Sequence, residues 1–531
     1  MSLKSKHISS FLALLLLGCF LFTYNYTQAL SPQGLWAVLL CFSGWGLLRL
    51  VFSYFRKATV IAITFLLLWG CTEALWGLAQ LYGWLPAGHN RFKITGSFFN
   101  PGPYGGFLAV LLPLGIHYTY LLKHQKSPWY NVFLSLLIPY IIMLPATLSR
   151  TAWIAALLGC GIVLLLMQWE HISLWLKKQP KSKLFYISLI FSTIIIALAY
   201  GGYQLKKDSA NGRLLIWKLS TKAAIQQGLV GEGLGSFAHN YALAQQNYFK
   251  NNGTEIEKSV AGVPEYAFNE YLRLWIEQGA LGLLLWLLLF ISIFYHSLKN
   301  KQYGAAGALI AFATFAFASY PFYLWQFLIT IVLIASIGSH SQVISCKKYF
   351  LGVLTSIVFI IPIIYCFSKL YNYHQAEKQW QQLAILYRNK QFEIIENNYT
   401  LLYPTLNSNP NFIFEYASIL NAVAQYHQAN IVIERGLAIS ADPMFYNLQG
   451  RNYQQMQQYD KAEAVLLEST YLLPNRIYPY YLLTKLYSDS AYYHPNKLLW
   501  AANKVLYTPI KVYSPAISEM RKQAQTIIDC Y

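Results

Sequence analysis

Charge is scarce in this sequence. Lys, Arg, Asp and Glu make up 11% of its 531 residues, and only 21 residues are acidic. A soluble globular protein carries about a quarter charged residues. With 56% hydrophobic residues and a mean hydropathy of +0.35, the chain reads as polytopic, because each crossing of a bilayer takes about 20 apolar residues. The seven cysteines include no Cys-x-x-Cys pair and mostly lie in apolar runs, which excludes a disulfide framework and a zinc site. Aspartate is nearly missing from the first 370 residues: Asp208 stands alone there, so no Asp-x-Asp metal motif exists in that half. No small-residue cleavage pattern follows the first apolar run, which is read as a retained helix. The net charge of +19 is spread through short loops, a mark of membrane topology and not of a nucleic-acid footprint.

Apolar runs define about eleven candidate spans, near 8–28, 33–53, 58–82, 104–122, 129–147, 151–169, 184–204, 276–298, 303–318, 321–339 and 349–370. The expected fold is therefore an all-α transmembrane helical bundle. Lys4 and Lys6, Arg56 and Lys57, Lys123 and Lys126, Lys177 to Lys183, Lys299 and Lys301, and Lys347 and Lys348 all fall in alternate connections. By the positive-inside rule those connections and the N-terminus face the cytoplasm. The opposite, external side then receives one long loop, 205–275, and everything after residue 370.

Polar helical sequence follows residue 370. "NKQFEIIENNYTLLYP", "AQYHQANIVIERGLAISADP" and "QQYDKAEAVLLESTYLLP" align at Phe392, Tyr426 and Tyr459. That period of 33 to 34 residues matches tetratricopeptide repeats. Ala429 and Ala462 recur where paired helices must approach closely, and Pro443 and Pro474 are expected to close helices. Two domains are thus expected: a membrane domain, 1–370, and a helical repeat domain, 371–531. Such solenoids bind a protein or peptide on a concave face; the alternative is a platform that holds the protein's own loops.

Several polar residues break the charge pattern. Arg91 and Lys93 lie in the external connection "GHNRFKITGSFFNPGPYGGF", and Arg150 lies in the turn of "MLPATLSRTAWIAALLG". An arginine at a span end can simply snorkel to the headgroups. Arg213 starts an amphipathic stretch in the long loop, followed by a flexible turn at Gly231, Gly233 and Gly235 and then by His239. Arginine's planar fork suits phosphate oxygens, and at a membrane surface that phosphate belongs to a lipid headgroup or a polyprenyl diphosphate. Glu73 is a carboxylate inside a span and is expected to be functional or paired.

In order, "TGSFFNPGPYGGFLAVLLPLG", "LSRTAWIAALLG", "NGRLLIWKLSTKAAIQQGLVGEGLGSF" and "FNEYLRLWIEQGALGLLLW" resemble the O-antigen ligase family, which includes polysaccharide polymerases and bacterial O-oligosaccharyltransferases. The resemblance covers roughly residues 60–340. It implies a GT-C-like, metal-independent glycosyltransferase without a cofactor. Such an enzyme moves a glycan from undecaprenyl diphosphate to a glycan or protein acceptor on the outer face of a bacterial inner membrane, among membrane lipids and with no nucleic acid. It implies that Arg150 and Arg213 bind the diphosphate and stabilise it as leaving group. The family often places His-Asn ahead of the next span, with the histidine as base. Here the pair is Phe268–Asn269, and phenylalanine takes no proton. His239, Glu265 and Glu270 are the replacement candidates: imidazole exchanges protons near neutrality, and burial favours a protonated carboxyl. The alternatives are a bond to a loop carbonyl for His239, and pairing with Arg273 or solvent for the glutamates. Arg91, Lys93, Asn100, Glu73, Gly233 and Gly235 complete the substrate-binding candidates.

Three functions compete. A ligase or oligosaccharyltransferase transfers a finished glycan, and the external repeats favour this reading; a polymerase joins lipid-linked units. A transporter or flippase would show inverted repeats and midplane carboxylates, for which Glu73 alone is thin support.

Overall fold

The structure, a computed structural model, describes residues 2–26, 31–180, 182–183, 186, 193, 207–340, 346–510 and 514–529. Among the described residues every regular element is helical. The first eight helices are α1 (Ser2–Tyr26), α2 (Pro32–Tyr54), α3 (Arg56–Leu81), α4 (Pro101–His124), α5 (Tyr130–Leu136), α6 (Ile138–Ala146), α7 (Arg150–Met167) and α8 (Trp169–Lys178). Then come α9 (Lys207–Gln227), α10 (Phe237–Asn251), α11 (Glu255–Val260), α12 (Glu270–Lys299), α13 (Tyr303–Phe317), α14 (Trp325–Ser339) and α15 (Cys346–Arg388).

Six helices are long and apolar enough to cross a membrane, and four shorter apolar helices accompany them. Together they coincide with ten of the eleven expected spans. The seventh, 184–204, falls almost wholly outside the described residues. The expected span 129–147 is two short helices, α5 and α6, interrupted at Leu137 ahead of Pro139. Proline has no N–H for the helical ladder.

The centre of the membrane half is the packing of α4, α7 and α13 on one another. Gly159 and Gly307 bring α7 and α13 backbone to backbone. A Cβ on Gly159 would stand 2.8 Å from the Gly307 carbonyl, and one on Gly307 would stand 2.6 Å from the Gly159 carbonyl. Small residues at such contacts let helices associate where burial against lipid gives little driving force. Aromatic rings fill the space beside them, with Phe315 stacked on Phe327 at 5.3 Å.

The connection 82–100 is latched to α3 by two buried side chains. Gln80 Oε1 accepts from the backbone N–H groups of Thr95 and Gly96, both at 2.8 Å. Glu73 accepts from the Ser97 hydroxyl at 2.6 Å and the Ser97 N–H at 2.9 Å. The carboxylate inside the span therefore holds a loop.

Seven further helices between residues 392 and 507 are α16 (Phe392–Leu406), α17 (Pro410–Ala422), α18 (Tyr426–Leu437), α19 (Pro443–Gln455), α20 (Tyr459–Leu472), α21 (Ile477–Tyr487) and α22 (Pro495–Tyr507). The three aligned positions Phe392, Tyr426 and Tyr459 each start a helix. Two residues earlier, Lys390, Ala424 and Gln457 all take a positive φ of 57 to 62°. The same backbone turn thus recurs with the sequence period. Ala429 and Ala462 are fully buried. Pro443 corrects the expectation placed on it: it opens α19, where its missing N–H has no helical partner to lose. The expected domain boundary at 370 falls inside α15, one helix of 43 residues.

Candidate active site

Helix α12 organises the site. Its regular geometry fails at Gly279, where φ is +70°, and the glycine-bearing turn 228–235 lies against the break. Ala280 N–H donates to the Gly228 carbonyl at 3.1 Å, and Gly233 N–H to the Glu277 carbonyl at 2.8 Å. The Gly235 N–H donates to Glu277 Oε1 at 3.1 Å. A Cβ on Gly279 would meet the Leu229 carbonyl at 2.1 Å, and one on Gly231 the Glu277 backbone at 2.3 Å. This corrects the flexible turn expected from sequence. The glycines serve close backbone approach, and the segment is pinned.

Arg150 is the first residue of α7, behind an N-cap at Ser149. Arg213 projects from α9 and donates through Nη1 to the Ala318 carbonyl at 3.1 Å. Its guanidinium lies 5.0 Å over the ring of Phe268. Burial first, and then the charge of Arg150, hold the Arg213 guanidinium below its ordinary pKa, with Tyr320 acting weakly in the other direction. Arg213 therefore lies within reach of the charge of Arg150, 63 positions earlier in the chain. Phe268, where the resembling proteins often have histidine, is the seat of Arg213. Its own φ is +49°, and its carbonyl accepts from Trp217 Nε1 at 3.2 Å.

Beside the arginines stands an aromatic wall that the sequence did not single out. Tyr266 stacks on Tyr320 at 4.2 Å with 7° between the planes, and meets Tyr323 edge-on at 4.7 Å. Phe268 packs edge-on against Tyr320 at 5.5 Å. Burial, and then the neighbouring charge of Glu265, push the Tyr266 phenol up to about 12. The signal available in sequence was "SYPFYLW", residues 319–325, an aromatic cluster around a proline between two apolar runs.

Behind this wall lies a cavity of about 1250 Å³ between the loop segment and the repeat helices. Glu265, Tyr266 and Tyr323 line one side, and Trp380, Asp442 and Arg476 line the other. The volume exceeds the roughly 300–1,000 Å³ of an ordinary small-molecule pocket. The repeat helices grip α10 and the end of α11 at its edge. Gln245 Nε2 donates to the Leu472 carbonyl at 2.6 Å, and Asn475 Nδ2 donates to the Lys258 and Ala261 carbonyls at 2.9 and 3.1 Å.

The remaining candidates separate by environment. His239 Nδ1 bonds the Leu437 carbonyl at 2.9 Å, joining α10 to the repeats. Glu270 is buried and ion-paired with Arg273 at 2.8 Å, the pairing that the sequence offered as its alternative. Asn269 caps α12, accepting from Tyr271 and Leu272 N–H at 3.0 and 3.1 Å. Asn100 caps α4 in the same way, accepting from Gly102 N–H at 2.8 Å. Arg91 and Lys93 are exposed on the connection after α3. Glu265 is exposed and on the cavity wall.

The architecture is that of a polytopic all-α membrane protein in which Arg213 of the loop segment lies within reach of the charge of Arg150 at the start of α7. Residues 132–287 match the family model described as O-antigen ligase, which supports the family resemblance read from the sequence. The match is narrower than the resemblance at 60–340, but it contains Arg150, Arg213, Glu265 and Phe268. No curated protein and no solved structure matches the chain. The matched domain supports a membrane enzyme of the ligase or polymerase type.

Proposed function

We propose that the protein is a glycosyltransferase that moves a glycan from undecaprenyl diphosphate to an acceptor hydroxyl, with the donor at Arg150 and Arg213 and the acceptor in the cavity. The observation that carries this reading is the convergence of two mutually repelling arginines, one of them largely withdrawn from water. Like charges held together in the free protein are relieved by a dianionic ligand, and fixed cations stabilise charge as it develops on a leaving group. The acceptor oxygen attacks the anomeric carbon, the carbon–oxygen bond to phosphate breaks, and its electron pair leaves on the diphosphate. Glu265, on the wall between the two sites, takes the acceptor proton. The two arginines supply the charge stabilisation, so transfer is expected to proceed in the presence of EDTA.

The cavity favours a ligase or oligosaccharyltransferase with a large acceptor, such as a protein, over a polymerase. The repeat helices supply most of its lining, and solenoid surfaces suit extended chains. The same helices also hold the enzyme's own α10, so both roles offered by the sequence belong to this reading. The glycan profile of a deletion strain tests it. Accumulated full-length lipid-linked glycan supports a ligase or oligosaccharyltransferase, whereas single-repeat glycans on the acceptor would make the protein a polymerase.

A further inference from the structure

Arg273 lies one turn into α12 with its side chain largely buried between two almost fully buried carboxylates. Its Nε is 2.8 Å from Glu270 Oε2 and 3.9 Å from Glu277 Oε2. On one side of Arg273 is an apolar cavity of about 210 Å³ within the bundle, lined by residues such as Phe20, Val38 and Phe290. On the other, the guanidinium lies 4.6 Å over the ring of Tyr323, and Tyr323 faces the large cavity.

Stability alone does not account for such a cluster. Replacing a buried ionic group by apolar residues of similar size is often neutral or stabilising, because the charges forfeit hydration. What apolar residues cannot do is accept N–H groups from other segments. Glu270 Oε1 accepts from Phe322 N–H at 3.0 Å, and Glu277 Oε1 accepts from Gly235 N–H at 3.1 Å. The cluster thus joins α12 to the turn 321–323 and to the glycine-bearing turn. Tyr323 and Tyr266 are in edge contact, and Tyr266 is stacked on Tyr320 next to Arg213. The cluster is thus a buried polar link between α12 and the 321–323 side of the wall, beside the chain connection through Asn269.

We infer that Glu270, Arg273 and Glu277 form a positioning cluster for the transfer step: they fix the aromatic wall so that Glu265 and the acceptor stand in register with the donor held by the arginine pair. This rests on the assignment of donor and acceptor sites proposed above. The cluster touches neither substrate, so its loss should leave donor binding intact and slow the chemical step. Misplacement of reacting groups by about 1 Å can cost roughly 100-fold.

The test uses the full-length protein in detergent with a polyprenyl-diphosphate-linked glycan. The triple variant Glu270→Gln, Arg273→Met, Glu277→Gln removes all three charges together and so leaves no buried charge unpaired. Arg273→Lys keeps the charge but loses the planar face above Tyr323. We expect both variants to fold. In the triple variant the donor KM should stay within about twofold, kcat should fall about 10- to 100-fold, and hydrogen exchange should quicken at 232–236 and 320–323. Arg273→Lys should fall between it and the wild type. A triple variant with wild-type kcat and unchanged exchange overturns the inference, as does a kcat loss that merely tracks the folded fraction. A wild-type protein that releases no polyprenyl diphosphate overturns the site assignment instead, and the exchange measurement keeps the two failures apart.

Discussion

Replacing Arg213 by methionine separates binding from folding. The substitution removes a charge-assisted hydrogen bond to the Ala318 carbonyl, a type of contact that contributes about 1.5–3 kcal/mol. It also removes the cation–π contact with Phe268, about 0.5–2 kcal/mol. Against these losses stand the burial of the guanidinium and its repulsion by Arg150, both of which already depress its pKa. The terms oppose each other, so the stability of the free protein should change by no more than about 1–2 kcal/mol. The reaction has no such offset. Losing one preorganised group at a developing charge costs about 100- to 1,000-fold in kcat, or about 2.7–4 kcal/mol. Transfer from a radiolabelled lipid-linked donor measures the second effect, and thermal unfolding in detergent the first. Inorganic pyrophosphate supplies a further check. At a hundred times its Kd it should stabilise the wild type by about 2.7 kcal/mol and Arg213→Met by almost nothing. A variant with turnover within tenfold of wild type, or one still stabilised by pyrophosphate, refutes the two-arginine clamp.

Glu265→Gln should lower kcat by about 100-fold or more if this carboxylate accepts the acceptor proton, with donor KM unchanged. Normal turnover would mean that the proton passes straight to the departing diphosphate. His239→Ala should keep transfer and lose only the bond to the Leu437 carbonyl, about 0.5–1.5 kcal/mol of stability; a thousand-fold loss of kcat would return His239 to the chemistry. Gly279→Ala forces a Cβ against the Leu229 carbonyl at a positive φ, and melting should show the largest destabilisation of any single change named here.

Much of the fold was legible because membrane helices announce themselves through long apolar runs and the repeats through a fixed period. The two arginines were legible for the opposite reason: each violates the charge pattern around it. Their meeting was not, since two expected spans, 151–169 and 184–204, separate Arg150 from Arg213 and no local rule joins them. The aromatic wall escaped notice because Tyr266, Tyr320 and Tyr323 look like the interface aromatics found throughout such proteins. Glycine is ambiguous in a different way. The turn at Gly231–Gly235 reads equally well as freedom or as close contact, and only the partner at Gly279 decides.

The helix Cys346–Arg388 joins the repeats to the bundle without a hinge. At 1.5 Å per residue, its 43 residues extend about 65 Å, with a single proline, Pro362, inside. The roof of the large cavity is thus carried on a shaft and not on a tether. Each residue inserted near position 372 would turn that shaft by about 100° and lengthen it by about 1.5 Å. The length of that helix must therefore match the grip of the repeats on α10, and a single extra residue would set the two against each other without altering Trp380, Asp442, Arg476 or Glu265.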